Sequence, residues 1–217
     1  MSEIYKGVKF SCWQRTDFCP FEPSLEQLNH WAWIFSQTGL MPVHNEGAYG
    51  NMSYRTNNHS FVITRTGMRP KRQLDNYDFC HVEFYDKKKQ GFFYSGKHKP
   101  SSESFLHYSI YQQFEDVGAI MHGHSNLLNE WAAQLYIPVT SHFYDYGTIA
   151  LANSALEIIS MKDKIIVLKE HGFIAVGHTI AKTGQLVLET YMKLLSLLGE
   201  TDNKKHSCLV KNEEKRK

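Results

Sequence analysis

The stretch Val117-Gly-Ala-Ile-Met-His-Gly-His-Ser125 constrains this chain more than any other. The apolar run from Val117 to Met121 reads as a short buried strand, and it ends in His122 and His124 with only Gly123 between them. On an extended chain alternate residues share a face, so both imidazoles point the same way. A helix would separate them, because residues two apart do not face each other there. Gly123 has no side chain to block the space between the rings. Two histidines on one side of a strand end suit a first-row metal, zinc above all. Two alone leave a metal under-coordinated, so that reading demands partners elsewhere. The same pattern also fits a pair of exposed or hydrogen-bonded rings.

Composition narrows the classes. The 217 residues suffice for one large domain or two small ones, and a 42% hydrophobic content suits a globular core. With 24 basic against 22 acidic residues, bulk electrostatics argue against a nucleic-acid or membrane-surface protein. Met1 to Phe10 holds no apolar core of signal-peptide length. No apolar run approaches the ~20 residues of a membrane helix. Cys12, Cys19, Cys80 and Cys208 are scattered and form no Cys-x-x-Cys, as in a cytoplasmic chain with reduced thiols.

Along the chain, residues 1–23 read as irregular, with Pro20 and Pro23 as breakers. Ser24-Leu-Glu-Gln27 reads as a capping box opening a helix that carries Leu25, Leu28, Trp31, Ile34 and Phe35, with Gly39 at its C-terminal cap. Glu46 to Asn51 reads as a turn before a strand from Met52 to Arg55, and Ser60 to Thr64 as another strand. Arg65-Thr-Gly-Met-Arg-Pro70 is a small-residue loop with cationic neighbours. Phe79 to Tyr85 and Gly91 to Tyr94 alternate as an antiparallel hairpin around a lysine-rich turn. Lys99-Pro-Ser-Ser-Glu103 opens a helix, with Glu103 in its first turn complementing the helix dipole and His107 one turn later. Asn126 to Leu135 reads as a helix, Ile137 to Thr140 as a short strand, and 141–147 as a polar loop. Then follow a helix from Thr148 to Ser160, strands from Lys164 to Lys169 and Phe173 to Val176, and an amphipathic helix from Thr179 to Leu198. In that helix Leu186, Tyr191, Leu194, Leu195 and Leu198 are expected to pack on the sheet. His171, in the turn between the last two strands, is the natural third metal ligand, or else an exposed turn histidine.

Taken in order, Gly50-Asn-Met-Ser-Tyr-Arg55, Thr66-Gly67, Pro100-Ser-Ser-Glu103, His122-Gly-His124 and His171-Gly172 resemble the class II aldolase/adducin family, from about Ser24 to Leu198. The family includes fuculose-phosphate aldolase, ribulose-phosphate 4-epimerase and methylthioribulose-phosphate dehydratase. The resemblance implies a three-layer α/β/α fold with a mainly antiparallel central sheet; the catalytic domain is expected over residues 1–201, and the mostly charged residues 202–217 are expected to form a mobile tail. It implies a homotetramer with active sites at subunit interfaces and a small phosphorylated sugar as substrate. It makes His122, His124 and His171 ligands of zinc, with manganese or iron left open, and Glu103 the acid/base group. Asn51, Thr66, Gly67, Ser101 and Ser102 would seat the substrate phosphate. Tyr144 matches the tyrosine proton donor of aldolase members after a one-residue slip, Phe143 falling there when Gly147 is aligned.

The expected activity is therefore metal-dependent cleavage of a phosphorylated ketose to dihydroxyacetone phosphate and an aldehyde, through a metal-stabilised enediolate. The alternatives are a dehydratase or 4-epimerase of a similar sugar phosphate. Glu103 favours aldolases and dehydratases, since epimerases typically place Asp there. An adducin-like scaffold would be expected to lack the metal triad, which stands intact here.

Overall fold

The computed structural model describes residues 7–19, 23–45, 47–57, 59–162 and 164–214, with side chains up to residue 200. Its centre is an eight-stranded sheet. The strands are β1 (Ser11–Thr16), β4 (Gly50–Arg55), β5 (Phe61–Thr64), β6 (Phe79–Asp86), β7 (Gly91–Ser95), β8 (Ala119–Gly123), β9 (Ile165–Leu168) and β10 (Gly172–Gly177). A separate two-stranded ribbon pairs β2 (Val43–His44) with β3 (Gly47–Ala48). The large sheet runs β1-β7-β6-β5-β4-β8-β10-β9. Every neighbouring pair is antiparallel except β1 with β7. The expected α/β fold with a mainly antiparallel sheet is thus the fold observed.

Two apolar layers flank the sheet, because successive strand residues point to opposite faces. On one face Met52, Met121, Phe173 and Ala175 meet Leu25, Leu28 and Phe35 of α1 (Pro23–Gln37), Leu128 of α3 (Asn126–Trp131), and Val187 and Leu194 of α5 (Ile180–Glu214). On the other, Ile63, Val82, Ile120 and Ile174 meet Leu106 and Ile110 of α2 (Ser104–Gln113) and Leu151 and Ala155 of α4 (Ile149–Ile158). Each large side chain so buried contributes about 1.5–3 kcal/mol. Among the described residues, no helix is long and apolar enough to cross a membrane.

The hairpin of β6 and β7, the strands β5, β8, β9 and β10, and helices α1 and α4 lie where the sequence pattern puts them, within a residue or two. Several segments differ. Residues 11–16, read as irregular, form edge strand β1, whose residues are exposed or half-buried and so show no apolar alternation. Pro23, not the residue after a capping box, opens α1, so Ser24 lies inside the helix; proline's fixed φ suits that first position. Strand β4 starts at Gly50, two residues earlier than expected, which brings Asn51 into the sheet. Ile137 to Thr140 forms no strand and makes a single bridge, Val139 with Val167. Helix α5 runs past Leu198 to Glu214: Lys, Glu and Leu sustain a helix there, and Gly199 alone costs too little to end it. Within α5, Leu194 is buried and Tyr191 and Leu198 pack against the core as expected, with Val187 buried beside them, while Leu195 is 41% exposed.

Candidate active site

Three neighbouring strands bring the site together by register. Asn51 of β4 pairs with His122 of β8, which pairs on its other side with Ile174 of β10. By alternation His122, Asn51 and Ser53 share the face covered by α2. His171 sits in the turn between β9 and β10, where its N–H closes on Leu168 O at 3.0 Å. That turn places Glu170 at φ 56°, a left-handed conformation uncommon for such a residue. Gly172 follows because nothing larger fits. A Cβ there would lie 2.4 Å from Gly123 O, 3.0 Å from His122 Cε1 and 3.1 Å from His124 Cδ2.

Glu103 departs from its expected place. It is the N-cap residue of α2 rather than part of its first turn, and its side chain makes no capping bond. Instead the carboxylate turns to the imidazoles, with Oε2 2.9 Å from His122 Nε2 and Oε1 3.0 Å from His171 Nε2. Asn51 Nδ2 donates to Oε2 at 2.8 Å. His122 Nε2 also lies 3.1 Å from His124 Nε2. Ligand nitrogens of His122, His124 and His171 all fall within 4.8 Å of one another. Burial alone would raise the Glu103 carboxyl, but His122 and His171 outweigh it and hold the group well below the ordinary carboxylate range. Burial, reinforced by His122 and His171, pushes His124 well below the ordinary imidazole value.

The donor set fits a metal ion. Phe173 O lies 2.8 Å from His122 Nδ1 and can only accept, so Nδ1 carries the proton. His122 Nε2, on the other side of the ring, faces the Nε2 of His124 and the Glu103 carboxylate. Three ring nitrogens this close together beside a carboxylate could hold a cation, and three imidazoles with one open position is a catalytic zinc arrangement. The Phe173 carbonyl is the outer partner that fixes ring orientation in such sites.

A single cavity joins this cluster to the expected phosphate seat. Asn51, Thr66, Gly67, Ser101 and Ser102 line it together with Glu103, His124 and His171. His122 lies behind them, with no exposed surface. Thr66 N donates to Lys99 O at 3.0 Å and Ser101 N to Thr64 O at 3.1 Å, so the two phosphate-seat segments are stapled to each other. Gly67, at φ 62°, accepts the close approach of Gly47, where a Cβ would stand 2.7 Å from Gly67 backbone atoms. The cavity is also lined by Arg65, Tyr49 and Tyr146, which the sequence reading left unassigned. Arg65 and Tyr49 each adjoin an assigned pair, Thr66-Gly67 and Gly50-Asn51, and that adjacency was the only signal. Within one chain Tyr144 is not part of this lining; it packs partly buried against the core between the sheet, α2 and α4.

Behind Glu103 lies a second polar layer. His107, one turn along α2 from Glu103, is fully buried. Its Nδ1 is 2.7 Å from Ser53 Oγ, which is 2.8 Å from Tyr111 Oη. Burial, against the opposing pull of Glu103, drives His107 down to about 3. Arg55, the end of the Gly50–Arg55 motif, donates to the carbonyls of Val117, Tyr111 and Phe114 and so ties β4 to the end of α2.

Comparison with known proteins agrees with this architecture. The model of the class II aldolase and adducin N-terminal domain matches residues 36–193, well over half of the chain. An L-fuculose phosphate aldolase of Methanococcus maripaludis is 31% identical over 147 residues, covering 63% of this chain and 77% of that one. A methylthioribulose-1-phosphate dehydratase of Xylella fastidiosa is 32% identical over 102 residues, covering 47% and 42% respectively. The solved structure of an L-fuculose 1-phosphate aldolase superposes with a TM-score of 0.64 at 20% identity, covering 84% of this chain and 88% of that one. Fold, motif order and sequence similarity therefore agree, and the chain belongs to the class II aldolase and adducin family.

Proposed function

We propose that the chain is a metal-dependent lyase that cleaves a phosphorylated ketose to dihydroxyacetone phosphate and an aldehyde. The observation that carries this reading is the shared cavity, in which an ionised Glu103 and the imidazoles of His124 and His171, with His122 directly behind them, face a lining of hydroxyls and glycine. Zinc, with manganese or iron as substitutes, would be held by His122, His124 and His171. When bound, it supplies a Lewis acid that polarises the ketone and carries the negative charge developing beside it.

The chain's own groups then divide the work. In the condensation direction Glu103 takes the proton from the hydroxymethyl carbon of dihydroxyacetone phosphate, and in cleavage it returns that proton to the same carbon. Asn51, bonded to Glu103 Oε2, holds the carboxylate in place. Thr66, Gly67, Ser101 and Ser102 anchor the phosphate, and that remote binding fixes the reacting carbons in position. The proton on the hydroxyl of the cleaved carbon is assigned to Tyr144, delivered by loop 141–147 of an adjacent copy in a tetramer.

A second reading is dehydration of a similar substrate, favoured by the similarity to a methylthioribulose-1-phosphate dehydratase. Incubation of the zinc-loaded protein with fuculose, ribulose and methylthioribulose 1-phosphates separates the two. Dihydroxyacetone phosphate, read by coupled reduction, is expected from at least one substrate. A product lighter by one water, without dihydroxyacetone phosphate, replaces the lyase by the dehydratase. Neither product from any substrate overturns both.

A further inference from the structure

We propose that Arg65 is the charged member of the phosphate seat, and that Asp78 positions it. This deepens the reading of a phosphorylated substrate and rests on it. The seat as read from the sequence holds hydroxyls, an amide and a glycine but no cation, while Glu103 brings a negative charge into the same cavity. A dianionic phosphate entering beside a carboxylate needs a compensating positive group, and Arg65 is the cation that lines the cavity.

The hydrogen-bond inventory points the same way. A guanidinium has five N–H donors in a rigid plane. Arg65 Nε donates to Asp78 Oδ1 at 2.9 Å, and Nη1 donates to Thr66 O at 2.9 Å and Gly67 O at 3.0 Å. Among the described residues Nη2 has no partner, so both its donors remain free. Because the group is planar, the three bonds already made fix where Nη2 points. Asp78, with a side chain only 3% exposed, forms one side of that frame, and the loop carbonyls form the other. The same carbonyl bonds turn Thr66 O and Gly67 O toward the guanidinium. Asp78 is shared, since its other carboxylate oxygen lies 3.2 Å from Lys71 Nζ, which also meets Asp75 at 3.0 Å. Arg65 thus does two things at once: it shapes the Thr66-Gly67 loop and presents charge to what the loop binds.

A purely structural Arg65 would not read the charge of the ligand. Calorimetric titration of the zinc-loaded protein with inorganic phosphate should give binding that weakens about tenfold to a hundredfold in Arg65→Gln, the loss expected for a charge-assisted bond. Arg65→Lys should recover part of it, and Asp78→Asn should weaken it less than Arg65→Gln. For the ketose 1-phosphate that turns over, kcat/KM should fall in Arg65→Gln, because the lost phosphate anchor also orients the reacting carbons, and zinc content should stay at the wild-type level. In the unmodified protein, phosphate should shield Arg65 from a dicarbonyl arginine reagent, read by peptide mass spectrometry. Wild-type phosphate affinity in a folded Arg65→Gln, or equal labelling with and without phosphate, overturns the proposal. Should Arg65→Gln not fold, the labelling result decides alone. If the wild-type protein binds zinc but no phosphate, the phosphorylated-substrate reading fails and this proposal falls with it.

Discussion

Glu103 turns its side chain to the imidazole cluster rather than to its own helix. An N-cap carboxylate normally accepts from the helix's first N–H groups, for about 0.5–2 kcal/mol. Here that bond is absent and the oxygens face His122 and His171 instead. Glu103→Gln keeps the shape but removes the base, so turnover should fall about a hundredfold or more while zinc content is retained. Equal kcat in the variant would exclude Glu103 as the proton-moving group. His107 supplies a different signature. Its folded-state value of about 3 lies below that of an unfolded histidine, so the unfolded chain binds a proton that the folded chain refuses. Stability is therefore full above the unfolded value of about 6.5 and declines as pH falls from there toward the folded value, at up to about 1.4 kcal/mol per pH unit for one such group. His124, lowered for the same reason, adds to the slope in zinc-free protein, whereas Glu103 stays ionised and contributes none in that window. Urea unfolding of zinc-free His107→Asn between pH 7 and 5 should show a visibly shallower loss of stability than wild type. An unchanged slope would mean that His107 is protonated in the folded protein.

At the scale of elements, the site depends on how closely β4, β8 and β10 approach at their ends. Glycines at 123 and 172 leave room for the backbone of one strand against the rings of the next. Gly172→Ala would push a methyl toward Gly123 O and the rings of His122 and His124. Zinc affinity, measured by chelator competition, should drop at least tenfold, the scale of lost support around ligand geometry, together with a lower Tm. Retention of both would mean that the turn relaxes without moving the rings. These strand ends were legible in the sequence because His-x-His on an apolar run has one period that keeps both rings together. The β6–β7 hairpin was legible for the same reason, alternation around a charged turn. Strand β1 was not, since an edge strand with exposed Gln14 and Arg15 buries too little to leave a pattern. From the residues alone Glu103 read as a first-turn group facing the helix dipole, because local sequence shows a helix start but not the tertiary partners, His122 and His171, that its carboxylate meets. Arg65 and Tyr49 were missed because a single chemistry-bearing residue in a loop or at a strand start has no period at all.

For the whole molecule, the open question of the second proton is a question about chain boundaries. In one chain the tyrosines lining the cavity are Tyr49 and Tyr146, and Tyr146 already donates its hydroxyl proton to Gly7 O at 3.1 Å. Tyr144 lies outside, on a loop whose neighbour Phe143 is 40% exposed. Exposed apolar side chains beside a polar loop fit a surface that another copy covers. If Tyr144 serves the site of an adjacent subunit, each active site takes Glu103 from one chain and Tyr144 from another. Glu103→Gln and Tyr144→Phe should then each be nearly inactive alone. Unfolded, mixed and reassembled, they should recover a substantial part of wild-type kcat, because some interfaces then pair an intact Glu103 with an intact Tyr144. No recovery on mixing, with Tyr144→Phe fully active and Tyr49→Phe impaired, would place the phenol inside the chain at Tyr49. That result would make the site complete within a single copy, and activity should then survive dilution below the point where the assembly dissociates.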